Sequence, residues 1–193
     1  MKYERGFSLI ELVITITVLT IMTFGVLPLV KVAVRRQKEQ ELRDSLRHIR
    51  MAIDEFHRDT VGITCTAVGG VPPPLPNIDP RSNVMISDCT IFGVDNPDRY
   101  PPDLDILVNG VNVVPRIPIT VGGGPLPTPG QTSTKQKVYL RKLPIDPMTG
   151  KADWEMRSTY DPADSNSWGG ENVFDVRSKS KATALNGEKY SDW

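Results

Sequence analysis

Within Gly6-Phe7-Ser8-Leu9-Ile10-Glu11 a single carboxylate stands at the head of an uncharged stretch, Leu12 to Val30. A charged side chain inside hydrocarbon costs on the order of 2.5–3.5 kcal/mol on insertion scales, so Glu11 is expected to have a partner and a purpose. A plain membrane anchor has no use for it. The bland alternative is a shallow interfacial residue whose carboxylate reaches the headgroups.

Other chemistry-bearing residues are sparse. His48 and His57 are the two histidines, and nine positions apart on a helix they point to opposite faces, which excludes a shared metal site. No nucleophile with its base, phosphate-binding glycine loop or four-cysteine zinc pattern is present. No catalysis is read in the chain. Balanced charge, 23 basic against 23 acidic residues, gives no reason to invoke nucleic acid. Cys65 and Cys89 both lie beyond the apolar stretch. Paired in an oxidising compartment, they would close a loop worth about 3 kcal/mol or more in the chain-entropy model. Two buried thiols are the other reading, and the loop-rich sequence between them favours the pair.

These residues need elements to hold them. The 19 residues from Leu12 to Val30 could cross a hydrocarbon core of roughly 30 Å at about 1.5 Å per residue. No Ala-x-Ala-like site follows Val30, so the segment is expected to stay on the chain. Apolar residues continue at Leu42, Leu46, Ile49, Ile53 and Phe56, spaced four, three, four and three, as the core face of a helix. Glu39 with Arg43 and Asp54 with Arg58 offer i,i+4 pairs on its polar back. A continuous helix from Phe7 to Arg58 would be about 78 Å long, so half of it must protrude from any small domain. Gly25 and Pro28 predict a kink or local melting, because Pro28 lacks an N–H and crowds the carbonyl one turn earlier. Thr15, Thr17, Thr20 and Thr23 can satisfy carbonyls locally and suit helix-on-helix packing.

After Val61 the texture changes, with 16 of the 17 prolines between Pro72 and Pro162, and long helices are excluded. The stretches 71–76 and 121–130 read as loops. Short strands are expected at Asn83 to Ser87, Val111 to Val114, Lys137 to Arg141 and Val173 to Arg177. The economical fold is α+β: one antiparallel sheet of about three or four strands packed on the 42–56 stripe. Residues 59–193 suffice for one modest domain. Trp154, Trp168 and Trp193 are expected to pack in its C-terminal region.

The hexapeptide from Gly6 to Glu11 resembles the processing site of type IV pilin-like proteins, the superfamily of type IV pilins and type II secretion pseudopilins. The resemblance implies that a prepilin peptidase cuts after Gly6 and methylates the new amino group of Phe7, with Phe7 and Glu11 serving assembly and Pro28 at the helix break. The division it implies is a leader over 1–6, an assembly helix over 7–30, an amphipathic helix over 31–58 and an exported β-rich domain over 59–193. The physics agrees: a carboxylate one turn from an amino terminus can be neutralised by its own or a neighbouring subunit's ammonium group, strongly in low dielectric. Methylation keeps the positive charge.

A second likeness lies in Tyr100-Pro101-Pro102 and in Leu143-Pro144-Ile145-Asp146-Pro147, which are similar to the type II secretion major pseudopilin pattern. Pro144 and Pro147 bracket a rigid turn in which Asp146 can bond local amides; a well-made surface turn is their expected role. The cysteine loop, the Gly/Pro-rich stretch at 121–130 and Met148, where an aromatic is common, depart from that pattern and suggest a specialised branch. Major pseudopilins often hold calcium. Here Asp161, Asp164, Ser165, Asn166 and Asp175 offer oxygen ligands, but their spacing maps onto no known loop, and a polar turn is the favoured reading. No cofactor is assigned.

The partners implied are further copies of the chain, prepilin peptidase, an inner-membrane assembly platform and minor pseudopilins. Lys31, Arg35, Arg36 and Lys38 outnumber Lys2 and Arg5, so flanking charge alone would place the C-terminal side in the cytoplasm. The cysteines and the leader argue instead for a single-pass inner-membrane protein with a periplasmic domain. A type IV pilus pilin serving adhesion, motility, DNA uptake or electron transfer is the alternative, and a membrane-tethered periplasmic binding module is a third reading.

Overall fold

The computed structural model describes residues 6, 8–61, 81–116, 134–162, 165 and 167–193. Its dominant element is α1, Leu9–Thr60, a helix of 52 residues. The backbone leaves Ser8 in extended geometry, and the Ser8 carbonyl accepts the first helical bond from Leu12 N at 3.2 Å. Thr15, Thr17, Thr20 and Thr23 each turn their hydroxyl back onto a carbonyl three or four residues earlier, at 2.7–2.9 Å. Of the kink or local melting expected at Gly25 and Pro28, melting is not seen: the helix is continuous through Pro28. Proline withdraws one donor from a long ladder, and intact turns on both sides carry the helix across that defect.

The apolar stripe lands where its spacing places it. Leu42, Leu46, Ile49, Ile53 and Phe56 are all at most 2 % exposed. Beyond α1 come β1 (Val84–Ile86), the short helix α2 (Asp105–Asn109), β2 (Val111–Pro115), β3 (Lys135–Lys137), β4 (Trp154–Arg157) and β5 (Asp175–Ser178). A 3-10 turn over Tyr190–Asp192 follows. β1, β2 and β3 form one antiparallel sheet in that order, with Met85 opposite Val114 and Asn112 opposite Gln136. β4 and β5 form a separate antiparallel pair, with Trp154 opposite Ser178.

The α+β layout is as expected, but the sheet is divided in two. β3 ends at Lys137 rather than running to Arg141, because the backbone N–H groups of Tyr139 and Leu140 both donate to the Leu107 carbonyl at 3.0 and 2.9 Å. That carbonyl lies in the last turn of α2, where a helix leaves its acceptors open. β4 was not anticipated: Trp-Glu-Met-Arg does alternate apolar and polar, but over four residues that pattern is short and Glu, Met and Arg are good helix formers. β5 begins two residues later than the expected Val173: Val173 N bonds to Pro101 O at 2.8 Å and Phe174 N to Arg157 O at 2.7 Å. Trp154 is buried, and Trp168 and Trp193 pack against the core, as expected.

Candidate assembly helix and the joint that carries it

Among the described residues the N-terminal half of α1 has no packing partner. From Leu9 to Val34 the described large apolar side chains are 43–82 % exposed, with Phe24 at 75 %. An 18-residue window of this helix has mean hydropathy 2.3, and none of its residues is buried. The stretch is long and apolar enough to cross a membrane. Glu11 lies in the first helical turn, exposed, where the helix dipole favours a negative charge. Gly6 is exposed with open space around it, and Phe7 lies outside the described residues.

The C-terminal half of α1 is bolted to the domain at three levels. At the far end, Asp59 is 1 % exposed and accepts from the Ser82 hydroxyl at 2.7 Å, Lys137 Nζ at 2.7 Å and the Tyr139 hydroxyl at 2.8 Å. Lys137 also pairs with Glu55 at 2.6 Å. Arg116 Nε donates to Ser82 Oγ at 3.1 Å and Val84 O at 2.8 Å, fastening the end of β2 to β1. Burial pulls the Lys137 ammonium down, but Asp59 and Glu55 outweigh it and leave its pKa raised. Tyr139 is pushed up strongly, first by burial and then by the Asp59 carboxylate. Phe56 completes this level, edge-on to Phe92 and Tyr139 at centroid distances of 6.1 and 5.4 Å.

At mid-height Arg50 reaches Asp175 Oδ1 at 2.6 Å, the Val176 carbonyl at 3.1 Å and the Trp193 carbonyl at 2.7 Å, tying α1 to β5 and the chain's last residue. Nearest the apolar half, Glu39 accepts from the Tyr190 hydroxyl and from Leu185 N, each at 2.9 Å. Glu39 pairs with Arg35 at 3.8 Å, while the anticipated partner Arg43 lies over the Trp193 ring at 4.2 Å.

Asp146 is fully buried rather than part of a surface turn. Its Oδ1 accepts from Met148 N at 2.7 Å and its Oδ2 from the Ser178 hydroxyl at 2.6 Å, so the proline-bracketed turn is stitched to β5. Tyr100 stacks on His57 at 4.1 Å and meets Phe174 edge-on, which joins the Tyr-Pro segment to α1. Of the oxygen ligands considered for calcium, Asp164 and Asn166 lie outside the described residues. Asp161 already accepts from Ser158 N and Gly169 N, and Asp175 is held by Arg50. Among the described residues no group of three or more His, Cys, Asp or Glu gathers to hold a metal. Cys89 packs against the core and Cys65 lies outside the described residues.

Sequence reasoning missed the Asp59 tie, although a signal was there. Continuing the stripe three residues past Phe56 arrives at Asp59, a carboxylate in a core-facing position, and such a group requires partners.

A family model described as the prokaryotic N-terminal methylation motif matches residues 1–27. The match marks a type IV pilin-like prepilin signal, of the kind carried by prepilin-processed, membrane-anchored proteins that assemble into filaments. It suits a structural protein rather than an enzyme. No curated protein and no solved structure matches the chain.

Proposed function

We propose that the chain is a pseudopilin, a structural filament subunit of a type II secretion-type apparatus. The observation that carries this reading is the junction of a methylation motif with an apolar half-helix that none of the described residues covers. Prepilin peptidase cuts after Gly6 and methylates Phe7; the helix then leaves the bilayer and packs against copies of itself. Glu11 pairs with the amino terminus of its own or a neighbouring Phe7 and sets the stagger between subunits. The domain is periplasmic, Cys65 and Cys89 are paired, and an inner-membrane platform and minor pseudopilins are the partners in assembly. The Tyr-Pro segment and the Leu-Pro-Ile-Asp-Pro turn favour secretion over a surface pilus. No described cysteine is free, which supports the pairing.

The test is Glu11→Ala in cells that assemble the filament. Membrane insertion should persist while incorporation into sheared filaments is lost, and mass spectrometry of wild-type filaments should find an N-methylated Phe7 at the start of the subunit. An undiminished yield of Glu11→Ala filaments would contradict the ion-pair argument. Met1 retained in assembled subunits would contradict processing.

A further inference from the structure

If the uncharged run spans a bilayer, the underside of the globular domain begins at the outer edge of the lipid headgroups. The uncharged run ends at Val30, and Arg35 stands about 7.5 Å further along the helix axis. A headgroup layer is about 5–7 Å deep on each side of the hydrocarbon. From the outer edge of that layer upward, over about 7.5–13.5 Å beyond Val30, a hairpin from the C-terminal region grips α1 at Arg35 and Glu39. Thr183 bridges to Lys189, and Ala184 N donates to Glu188 O at 2.7 Å. The Arg35 guanidinium donates to the Thr183 carbonyl, and Glu39 holds Leu185 N and the Tyr190 hydroxyl. The hairpin is therefore fixed against the turns that would emerge from a bilayer.

Its chemistry changes with height. Lys31, Arg35, Lys38 and Leu42 lie on one helical stripe, so the face that is apolar core from Leu42 upward becomes cationic below it. Lys31, Arg36 and Lys38 on the helix and Lys181 and Lys189 on the hairpin are exposed. Among the described residues none of these five makes an ion pair. The acids of this region are Glu39, Glu41, bonded by Gln37, and Glu188, bonded by Asn186 and Trp193, and they are outnumbered by the cations. Leu185, on the same hairpin as Lys181 and Lys189, is 42 % exposed. A leucine beside unpaired lysines is the pairing that an anionic lipid surface recognises, the cations meeting headgroups and the apolar tip entering the interface.

We infer that this hairpin and the 31–38 turns form a docking surface for anionic lipid, which seats the domain on the membrane before assembly. The inference rests on the membrane-anchored reading. The test places a benzophenone amino acid at Leu185, at Leu19 within the apolar run, or at Val94. Val94 is 99 % exposed and two residues from Phe92, which packs on Phe56 about 39 Å up the helix axis from Val30. The full chain is reconstituted in phosphatidylcholine vesicles with or without one-third phosphatidylglycerol and irradiated. Lipid adducts are expected at Leu19 in both vesicles, at Leu185 chiefly in the anionic ones, and at Val94 in neither. Lys181→Gln or Lys189→Gln should each reduce the Leu185 adduct by about fivefold. Adducts at Leu19 with none at Leu185, adducts at Leu185 insensitive to lipid charge and to both variants, or Leu185 linked to a second copy instead of lipid would each overturn the docking alone. Absence of lipid adducts at Leu19 would overturn the anchored reading, and the docking with it.

Discussion

If the globular domain is carried by α1, the bolt at Asp59 should matter more than its surface neighbour Glu55, although both touch the same ammonium group. Lys137 Nζ lies 2.7 Å from Asp59 and 2.6 Å from Glu55, so distance alone would rank them equal. Burial separates them, the Asp59 side chain being 2 % exposed and that of Glu55 47 %. Removing one member of a buried pair typically costs about 3–5 kcal/mol. Lys137 is 27 % exposed and keeps Glu55, which places that part of the loss at about 2 kcal/mol. Asp59→Ala also strips the Tyr139 hydroxyl of its acceptor, adding about 1–3 kcal/mol, whereas Ser82 keeps the Val84 carbonyl at 2.8 Å. The expected total is about 3–5 kcal/mol, a large share of the roughly 5–15 kcal/mol that holds an ordinary domain together. Glu55→Ala should cost no more than about 1 kcal/mol.

The assay is urea unfolding of the full chain in detergent micelles, followed by near-ultraviolet circular dichroism of the buried Trp154. With a slope of about 1–3 kcal/mol per molar, Asp59→Ala should lower the midpoint by at least about 1 M and Glu55→Ala by much less. Adding Lys137→Met to Asp59→Ala should restore part of the loss, because the stranded cation is then gone. Equal losses for Asp59→Ala and Glu55→Ala would refute the argument from burial.

Two further outcomes follow from the same region. Tyr139 and Lys137 both hold their protons more tightly in the folded chain than their ordinary values of 10.0 and 10.5, so the unfolded chain releases protons first and stability should fall as pH rises above about 10. Tyr139→Phe should flatten that fall, and phenolate absorbance should show Tyr139 un-ionised until the domain unfolds; ionisation alongside the exposed tyrosines would count against it. Gly110 has φ of 79°, and a Cβ there would stand 2.7 Å from the Lys137 carbonyl oxygen, so Gly110→Ala should cost about 2–4 kcal/mol. Gly150, at φ 72° with nothing within 4 Å, should lose only about 1–2 kcal/mol on the same change, and thermal unfolding of the two variants side by side gives the comparison.

The helix could be read from the sequence because its signal repeats: five core positions at three- and four-residue spacing agree on one face, and tertiary packing had only to accept it. The strands are three to five residues long, too short for alternation to accumulate, so their ends were set by competing acceptors such as Leu107 O. Asp146 was assigned its bond to a local amide, but not its burial, since the partner Ser178 is 32 residues away. The C-terminal hairpin did carry a local signal, Asn186-Gly187, with Gly187 at φ 91°. Its attachment to Arg35 and Glu39 spans about 150 residues of sequence, and no local pattern encodes that. The loops expected at 71–76 and 121–130 lie outside the described residues.

The exposed half of α1 also limits what can drive assembly. Sixteen large apolar side chains between Leu9 and Val34 are each 43 % exposed or more. Covering half of each is worth on the order of 1 kcal/mol, or about 15–20 kcal/mol together, which exceeds the net stability of a typical domain. A protomer in water is therefore strongly disfavoured, and lipid or other copies must cover the helix. Lipid tails are as apolar as leucine, however, so passage from bilayer to bundle gains little from apolar burial. Helix-on-helix packing and released lipid favour the bundle, and two kinds of polar group could add to that: the hydroxyls of Thr15 to Thr23, already turned onto their own helix, and the Glu11 carboxylate. The threonines bring no unmet demand to a partner. Glu11 does, because in a bilayer it must remain near the headgroups, whereas in a bundle it can meet an ammonium group at low dielectric. On the proposed reading Glu11 adds a polar preference for a bundle over lipid, and Glu11→Ala should separate assembly from insertion.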